Sequence, residues 1–123
     1  MTGLSDAREE LTTALEAADI RVASPGDAFT PPCVRVHPAA PWLAPSVLAS
    51  GRRTQRWEVW AVAGKVADRH NYTSLEGTVS AVTNALDLLP SWSSIVWDRP
   101  NPTDMGGTSY LAVRGQIETN KEV

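Results

Sequence analysis

The residue types that most often do chemistry are few in this chain and lie far apart. Cys33 is the single cysteine, and His37 and His70 are the two histidines. Neither histidine has the spacing to cysteine or carboxylate that holds zinc, where ligands recur roughly two to five residues apart. Cys33 follows two prolines at the start of an apolar segment, which favours a small buried residue over a nucleophile. We therefore predict no catalytic, cofactor-binding or metal-binding residue, and we do not expect an enzyme.

A local cluster of arginines is the clearest charge feature. Arg52, Arg53 and Arg56 lie close together in a chain whose net charge is −3. Three interpretations apply to them: a solvated hairpin tip, contact with phosphate, or pairing with an acidic patch on another subunit. The net acidity weakens the phosphate interpretation, because nucleic-acid-binding domains are usually basic.

Two large apolar residues, Trp42 and Leu43, stand in a proline-rich segment, 38–54, that has no helical or strand periodicity. A loop of this length in a small domain is usually functional or locally disordered. Trp42 either folds back under its own loop or anchors an interface, and tryptophan is enriched at interfaces. A second long loop is predicted at 99–108. The predicted subunit or partner interface comprises Trp42, Leu43, Arg52, Arg53, Arg56, Asp104 and Met105.

A strand followed by an amphipathic helix organises the rest of the chain. Residues 56–64 are dense in tryptophan, valine and alanine, which indicates a central strand covered on part of both faces. From Tyr72 to Leu89, apolar residues recur at three- and four-residue steps, so they share one face of a helix. Pro90 ends that helix because proline lacks the backbone N–H that the next turn needs.

The remaining segments complete a two-layer unit. Residues 4–18 predict a first helix, and 20–23, 33–37, 94–98 and 109–119 predict four further strands. In the last strand Leu111, Val113 and Ile117 alternate with polar residues, so one face meets the core and the other meets water or a partner. The order α-β-β-β-α-β-β predicts an α+β two-layer sandwich: a mostly antiparallel five-stranded sheet with two helices on one face.

Length and composition agree with one ordinary globular domain. We predict a single α+β domain over residues 1–123, with a long loop at about 38–54 and a polar C-terminal tail at about 120–123. The sequence is 42% hydrophobic and 20% charged, which is typical of globular proteins. A helical, charged N-terminus predicts no signal peptide, and no apolar run is long enough to span a membrane.

The order of these segments resembles the tail terminator proteins of long-tailed (siphovirus-type) actinobacterial phages. DAREELTTALEAADIRVAS supplies a helix and a short strand, and PPCVRVHPAAPWL supplies a proline-rich start, a valine strand and a proline–aromatic loop. RWEVWAVAG is the tryptophan- and valine-rich strand that precedes the second helix. The resemblance covers residues 4 to about 89, and the segment 94–119 is compatible but not distinctive.

The resemblance implies a structural protein that forms a hexameric ring on the head-proximal end of the tail tube. Such a ring stops tube growth and joins the tube to the head. The implied partners are further copies of the chain, the tail tube protein and the head-tail connector protein, and DNA passes through without sequence-specific binding. The implied location is the virion, after assembly in the host bacterial cytoplasm. No catalytic residue, cofactor or membrane comes with the family.

Two other interpretations stay open. Within the same class, the chain is another neck protein, such as a head-completion or connector subunit. From a different class, it is a small cytosolic enzyme or ligand-binding domain with a site in the long loops, for which a closed pocket with converging polar groups would be the sign.

Overall fold

The computed structural model describes residues 3–23, 32–45, 52–65, 70–105 and 107–122. They form two helices and an antiparallel five-stranded sheet, so the predicted α+β fold is confirmed. In chain order the elements are α1 (Gly3–Ala17), β1 (Cys33–Pro45), β2 (Arg52–Lys65), α2 (His70–Leu86), β3 (Val96–Trp97), β4 (Asn101–Met105) and β5 (Thr108–Glu122).

β2 is the central strand that the sequence predicted. The strand order is β1-β2-β5-β3, and β4 also pairs with β5. The register places Val34 of β1 opposite Ala61 of β2, and Ala61 opposite Val113 of β5. Because opposed residues of an antiparallel pair point to the same side, each such row extends one face of the sheet.

Both helices pack on one face of this sheet. α1 buries Ala7, Leu11 and Leu15, and α2 buries Leu75, Val82, Ala85 and Leu86. Their partners on the sheet include Val34, Val36, Trp57, Val59, Ala61, Val113 and Ile117. The predicted apolar stripe of α2 is therefore correct at Leu75, Val82 and Leu86, and Val79 is partly buried. It is wrong at its two ends, since Tyr72 is 54% exposed and α2 ends at Leu86, before Leu89 and Pro90. Tyr72 lies in the first turn of α2, at the rim of a groove rather than over the core.

The segment 20–23 is an edge contact rather than a full strand. Its only sheet pairing within the described chain is a parallel bridge between Val22 and Val34. The backbone of Asp19 has a φ of 61°, and Ile20 N–H donates to the Leu15 carbonyl over 3.0 Å. Asp19 N–H also donates to the Glu16 carbonyl over 3.0 Å, which completes a Schellman motif. This left-handed end of α1 turns the chain along the outer edge of β1.

The prediction of long irregular loops at 38–54 and 99–108 was wrong over most of their length. β1 continues to Pro45, β2 begins at Arg52, and Asn101–Met105 is strand β4. Prolines concealed these strands, since β1 and β4 are edge strands, where a missing N–H is tolerated. β1 also has an irregular register between Pro38 and Leu43. Residues 46–51 lie outside the described part of the chain.

The predicted polar tail at about 120–123 is largely a strand. β5 runs to Glu122, and its last three residues pair with Arg52, Arg53 and Thr54 of β2. Their charged sequence hid the pairing, because backbone hydrogen bonds need no apolar side chain. Residue 123 lies outside the described ranges.

Candidate interface surfaces

The candidate residues for chemistry lie in unremarkable places. Cys33 is buried, and burial raises the pKa of its thiol against the opposing effect of Arg21 and Arg35. Desolvation lowers the pKa of His37, and Arg35 and Arg8 lower it further while Glu58 acts in the opposite direction. The side chain of His70 lies outside the description. In the described ranges no three His, Cys, Asp or Glu residues are grouped so that they could hold a metal ion.

Trp42 packs against the core, which is the first of the two alternatives for this residue. Its ring meets Trp57 edge-on, with 5.6 Å between centroids and 86° between planes. The Trp42 Nε1 atom is buried and has no hydrogen-bond acceptor among the residues that the structure describes. Leu43 beside it is 36% exposed and pairs with Gln55 in the β1–β2 register.

The arginine cluster begins β2 and is partly compensated within the chain. Arg56 lies on the face away from the helices, with its Nε atom 3.3 Å from Glu118 Oε2. Both side chains are nearly half exposed, so this pair contributes at most about 1 kcal/mol. The backbones of Arg52 and Arg53 pair with Glu122 and Lys121, and their side chains lie outside the description.

The structure separates the remaining two candidates from this cluster. Asp104 is exposed and pairs with Ser109, and the backbone of Met105 pairs with Thr108. Gln55, next to the arginines, pairs with Thr119 at the other end of β5. At about 3.4 Å per residue, Ser109 and Thr119 are roughly 34 Å apart along the strand. The predicted interface residues therefore lie at opposite ends of the sheet.

A charged network on the sheet face away from α1 and α2 escaped prediction. Arg114 Nε donates to Asp98 Oδ2 over 2.8 Å, and Arg114 Nη1 donates to Glu58 Oε2 over 3.3 Å. The other oxygen of Glu58 accepts from Trp60 Nε1 over 2.9 Å. The alternation of β5 had assigned Arg114 to this face, but its partners are 16 and 56 residues away and depend on strand register.

Two grooves flank α2. The β3-side groove, of about 350 Å³, runs between α2 and the β3 edge and is lined by Tyr72, Glu76, Val79, Trp97, Asp98 and Val113, among others. The β1-side groove, of about 380 Å³, lies on the other side of α2, where Ser74, Gly77 and Thr78 face Ile20, Arg21 and Val34. Gly77 leaves open space on α2, since a Cβ atom built there meets nothing within 4 Å.

Similarity to known proteins adds no assignment. Among the described helices, none is both long enough and apolar enough to cross a membrane. No protein-family model matches the chain, and no curated protein matches it.

Proposed function

We propose that this chain is a phage tail terminator, a structural subunit of a hexameric ring that caps the head-proximal end of the tail tube. The ring stops tube growth and joins the tube to the head connector. The partners of each subunit are further copies of the chain, the tail tube protein and the connector protein. DNA passes through the ring without base-specific contacts. The protein acts in the virion, after assembly in the bacterial cytoplasm.

The observation that carries this proposal is the unequal covering of the two sheet faces. α1 and α2 pack on one face and make a rigid body. On the opposite face, none of the described helices packs. Cys33, Val62 and Ala112 form a small buried cluster at one end of it, and Arg56, Glu58, Arg114 and Glu118 stand beside the half-buried Trp60. A ring subunit needs both features, because it must keep its shape while it offers several surfaces to neighbours. Arginine and tryptophan are also enriched at interfaces.

The residues that resemble tail terminators make up most of the fold. Residues 4 to about 89 contain α1, β1, β2 and α2, and these four elements share a core with Trp92, Ile95 and Ile117 of the later segment. The order of these elements agrees with the order that the resemblance implies, which supports the proposal.

One end of the sheet supports contact with another protein. The β2–β5 pairing continues past the buried residues Gln55 and Thr119 as far as Arg52 and Glu122. Arg53, next to Arg52 in β2, pairs with Lys121 of β5. Arginine suits interfaces because its planar guanidinium is weakly hydrated and binds carboxylates through two hydrogen bonds. We assign this end to contact along the tail axis.

The test is electron microscopy of tails assembled with and without this protein. With the protein, tails have one length and a ring at the head-proximal end. Without it, tubes overgrow and fail to join heads. Glu9→Arg, an exposed change on α1, serves as a folded control that should cap tails normally.

Each other outcome points elsewhere. Tails of normal length that fail only to join heads would assign the chain to the connector instead. Normal infectious particles without the protein would contradict both structural functions and favour the enzyme or ligand-binding alternative.

A further inference from the structure

The two flanks of the domain are unlike, and both lie beside α2. One flank is the outer edge of β1, where Ile20 and Arg21 line the β1-side groove. The other flank is the β3 edge, where Tyr72 and Glu76 line the β3-side groove. Because α2 lies between the grooves and the strand order begins with β1 and ends with β3, these flanks are at opposite sides of the molecule.

Strand register puts the two flanks at the same level along the sheet. The Arg21 carbonyl accepts a hydrogen bond from Val34 N–H over 2.9 Å. Val34 pairs with Ala61, and Ala61 pairs with Val113, which lines the β3-side groove. A neighbour placed side by side, with little shift along the strands, would therefore bring Arg21 towards that groove.

The flanks carry opposite charges at Arg21 and Glu76, and Asp19 is a further exposed charge on the Arg21 side. Arg21 is exposed, and so is Glu76 on the wall of the β3-side groove. Neither forms an ion pair with the part of the chain that the structure describes. The other acid of the groove, Asp98, is already bound by Arg114. The cation of one flank and the carboxylate of the other thus each lack a counter-ion within the described monomer.

The flanks also match in apolar surface. Tyr72 is 54% exposed at the rim of the β3-side groove, and Trp97 and Val79 on its walls are partly buried. On the β1 flank, Ile20 and Val22 on either side of Arg21 are half-buried. A contact between these surfaces would bury Tyr72, Trp97 and Arg21, which are of the residue types enriched at interface hot spots.

We propose that segment Ile20–Ala23 of one subunit packs into the β3-side groove of a second copy of the chain, with Arg21 facing Glu76. The contact rests on the proposed ring, because a head-to-tail contact uses two different surfaces and closes into a ring when the rotation allows. The proposed contact adds to that function by naming the residues of the lateral interface and the direction in which subunits follow one another around the ring.

Cysteine cross-linking tests the contact directly. One sample of the full chain carries Arg21→Cys and another carries Glu76→Cys, and each is treated with a short bismaleimide cross-linker alone and as an equal mixture, because facing Arg and Glu positions lie too far apart for a direct disulfide. The mixture forms cross-linked dimers, each single variant does not, and a chain with both changes forms a ladder up to six. The parent chain, whose Cys33 is buried, is the control. The experiment is done in concentrated solution and in assembled tails. The contact is contradicted if each single variant cross-links with itself, or if the mixture gives no cross-link under either condition.

Charge reversal adds a second readout. Arg21→Glu or Glu76→Arg lowers ring formation about tenfold or more, because like charges then face each other across the interface. The chain with both reversals restores it. Glu9→Arg, an exposed change on α1 outside both grooves, is the matched control and leaves ring formation unchanged. Melting curves confirm that each variant is folded. Folded double variants that stay defective overturn the proposal.

The two proposals fail in different ways. Cross-links at this pair without a ring on tails contradict the terminator function but keep the lateral contact. Tails of one length with a ring, insensitive to Arg21 and Glu76, contradict the contact but keep the function.

Discussion

Trp57 has three unlike contacts at one end of the core. Trp42 meets its ring edge-on, and the guanidinium carbon of Arg8 lies 5.6 Å from its centroid. The Trp57 Nε1 atom donates to Gln55 Oε1 over 3.3 Å, and both side chains are buried. Aromatic pairs and cation–π contacts each contribute about 0.5–1.5 kcal/mol. Because Arg8 belongs to α1 and Trp42 to β1, Trp57 holds both elements against β2.

Replacing Trp42 should lower the stability of the monomer. We expect Trp42→Ala to cost about 2 kcal/mol, less than the roughly 3–5 kcal/mol of a fully buried tryptophan, because Trp42 is only partly buried. Trp42→Phe keeps an edge-on ring and removes the N–H that has no acceptor in the described chain, so its cost should stay within about 1 kcal/mol. Thermal unfolding measures both. An unchanged melting temperature with lost assembly would make Trp42 an interface residue instead.

His37 should make stability depend on pH. Desolvation lowers its pKa in the folded chain below the ordinary value of 6.5, so the unfolded chain binds the proton more readily. The stabilising contribution is therefore complete above pH 6.5 and declines as the pH falls towards the folded pKa. Between about pH 7.5 and pH 5.5, the melting temperature of His37→Gln should fall by less than that of the parent chain. Identical losses in the two proteins would contradict this assignment.

At the scale of elements, two backbone positions decide how helix and strands fit. Asp19 ends α1 in the left-handed region, which glycine adopts freely and which, among residues with a Cβ atom, asparagine and aspartate adopt most often, at some cost. Gly115 in β5 lets Ile95 and Trp97 approach the strand, since a Cβ atom there would lie 2.7 Å from Ile95 Cδ1 and 2.9 Å from Trp97 Cε3. The close packing of Ile95 and Trp97 on β5 thus requires glycine at position 115.

Asp19→Gly should stabilise the chain. Glycine adopts the φ of 61° without a Cβ penalty, and the Schellman hydrogen bonds are unchanged. We expect a gain of about 0.5–1 kcal/mol and a loss for Asp19→Ala, which keeps the Cβ atom and removes the polar side chain. Chemical denaturation of the pair measures the difference. A destabilised Asp19→Gly would show that the aspartate makes a contact that outweighs the strain.

Two glycine-to-alanine changes should act in opposite directions. Gly115→Ala forces Ile95 and Trp97 away from β5, and we expect a cost of about 1–3 kcal/mol. Gly77→Ala meets open space inside α2 and should stabilise by about 1 kcal/mol through helix propensity. Each variant is the other's control for the added methyl group, and thermal unfolding reports both. Similar effects of the two changes would contradict the close approach at the β3 edge.

At the scale of the whole molecule, the apolar patterns predicted the core and missed the edges. Two local patterns were sufficient to predict the core positions. They are the alternation through Leu111, Val113 and Ile117 and the helical spacing of Leu75, Val82 and Leu86. Strand β4 and the outer half of β1 depend on lying at a sheet edge, which is a tertiary property that tolerates their prolines. Arg114 and its distant carboxylates needed the strand register, and the grooves beside α2 needed the packing of the helix.

Salt should weaken the ring more than the subunit. The ion pairs within the described chain are all at least partly exposed, so the melting temperature should change little with ionic strength. Contacts between subunits that use Arg21 or Arg56 are screened within about 8–10 Å at ordinary salt. Electron microscopy at about 0.05 M and 0.5 M salt should show fewer capped tubes at the higher concentration. Equal capping would exclude a large share of ion pairs in the ring.

The position of β5 governs how the chain folds during synthesis. β5 is the partner of β2, β3 and β4, and it comes last among the strands. Until β5 leaves the ribosome, β2 has only β1 beside it, and its other edge is open to any passing strand. At about 5–20 residues per second, translation from Lys65 to Glu122 takes roughly 3–11 s. During that interval the nascent chain is exposed to strand exchange with its neighbours on the same message.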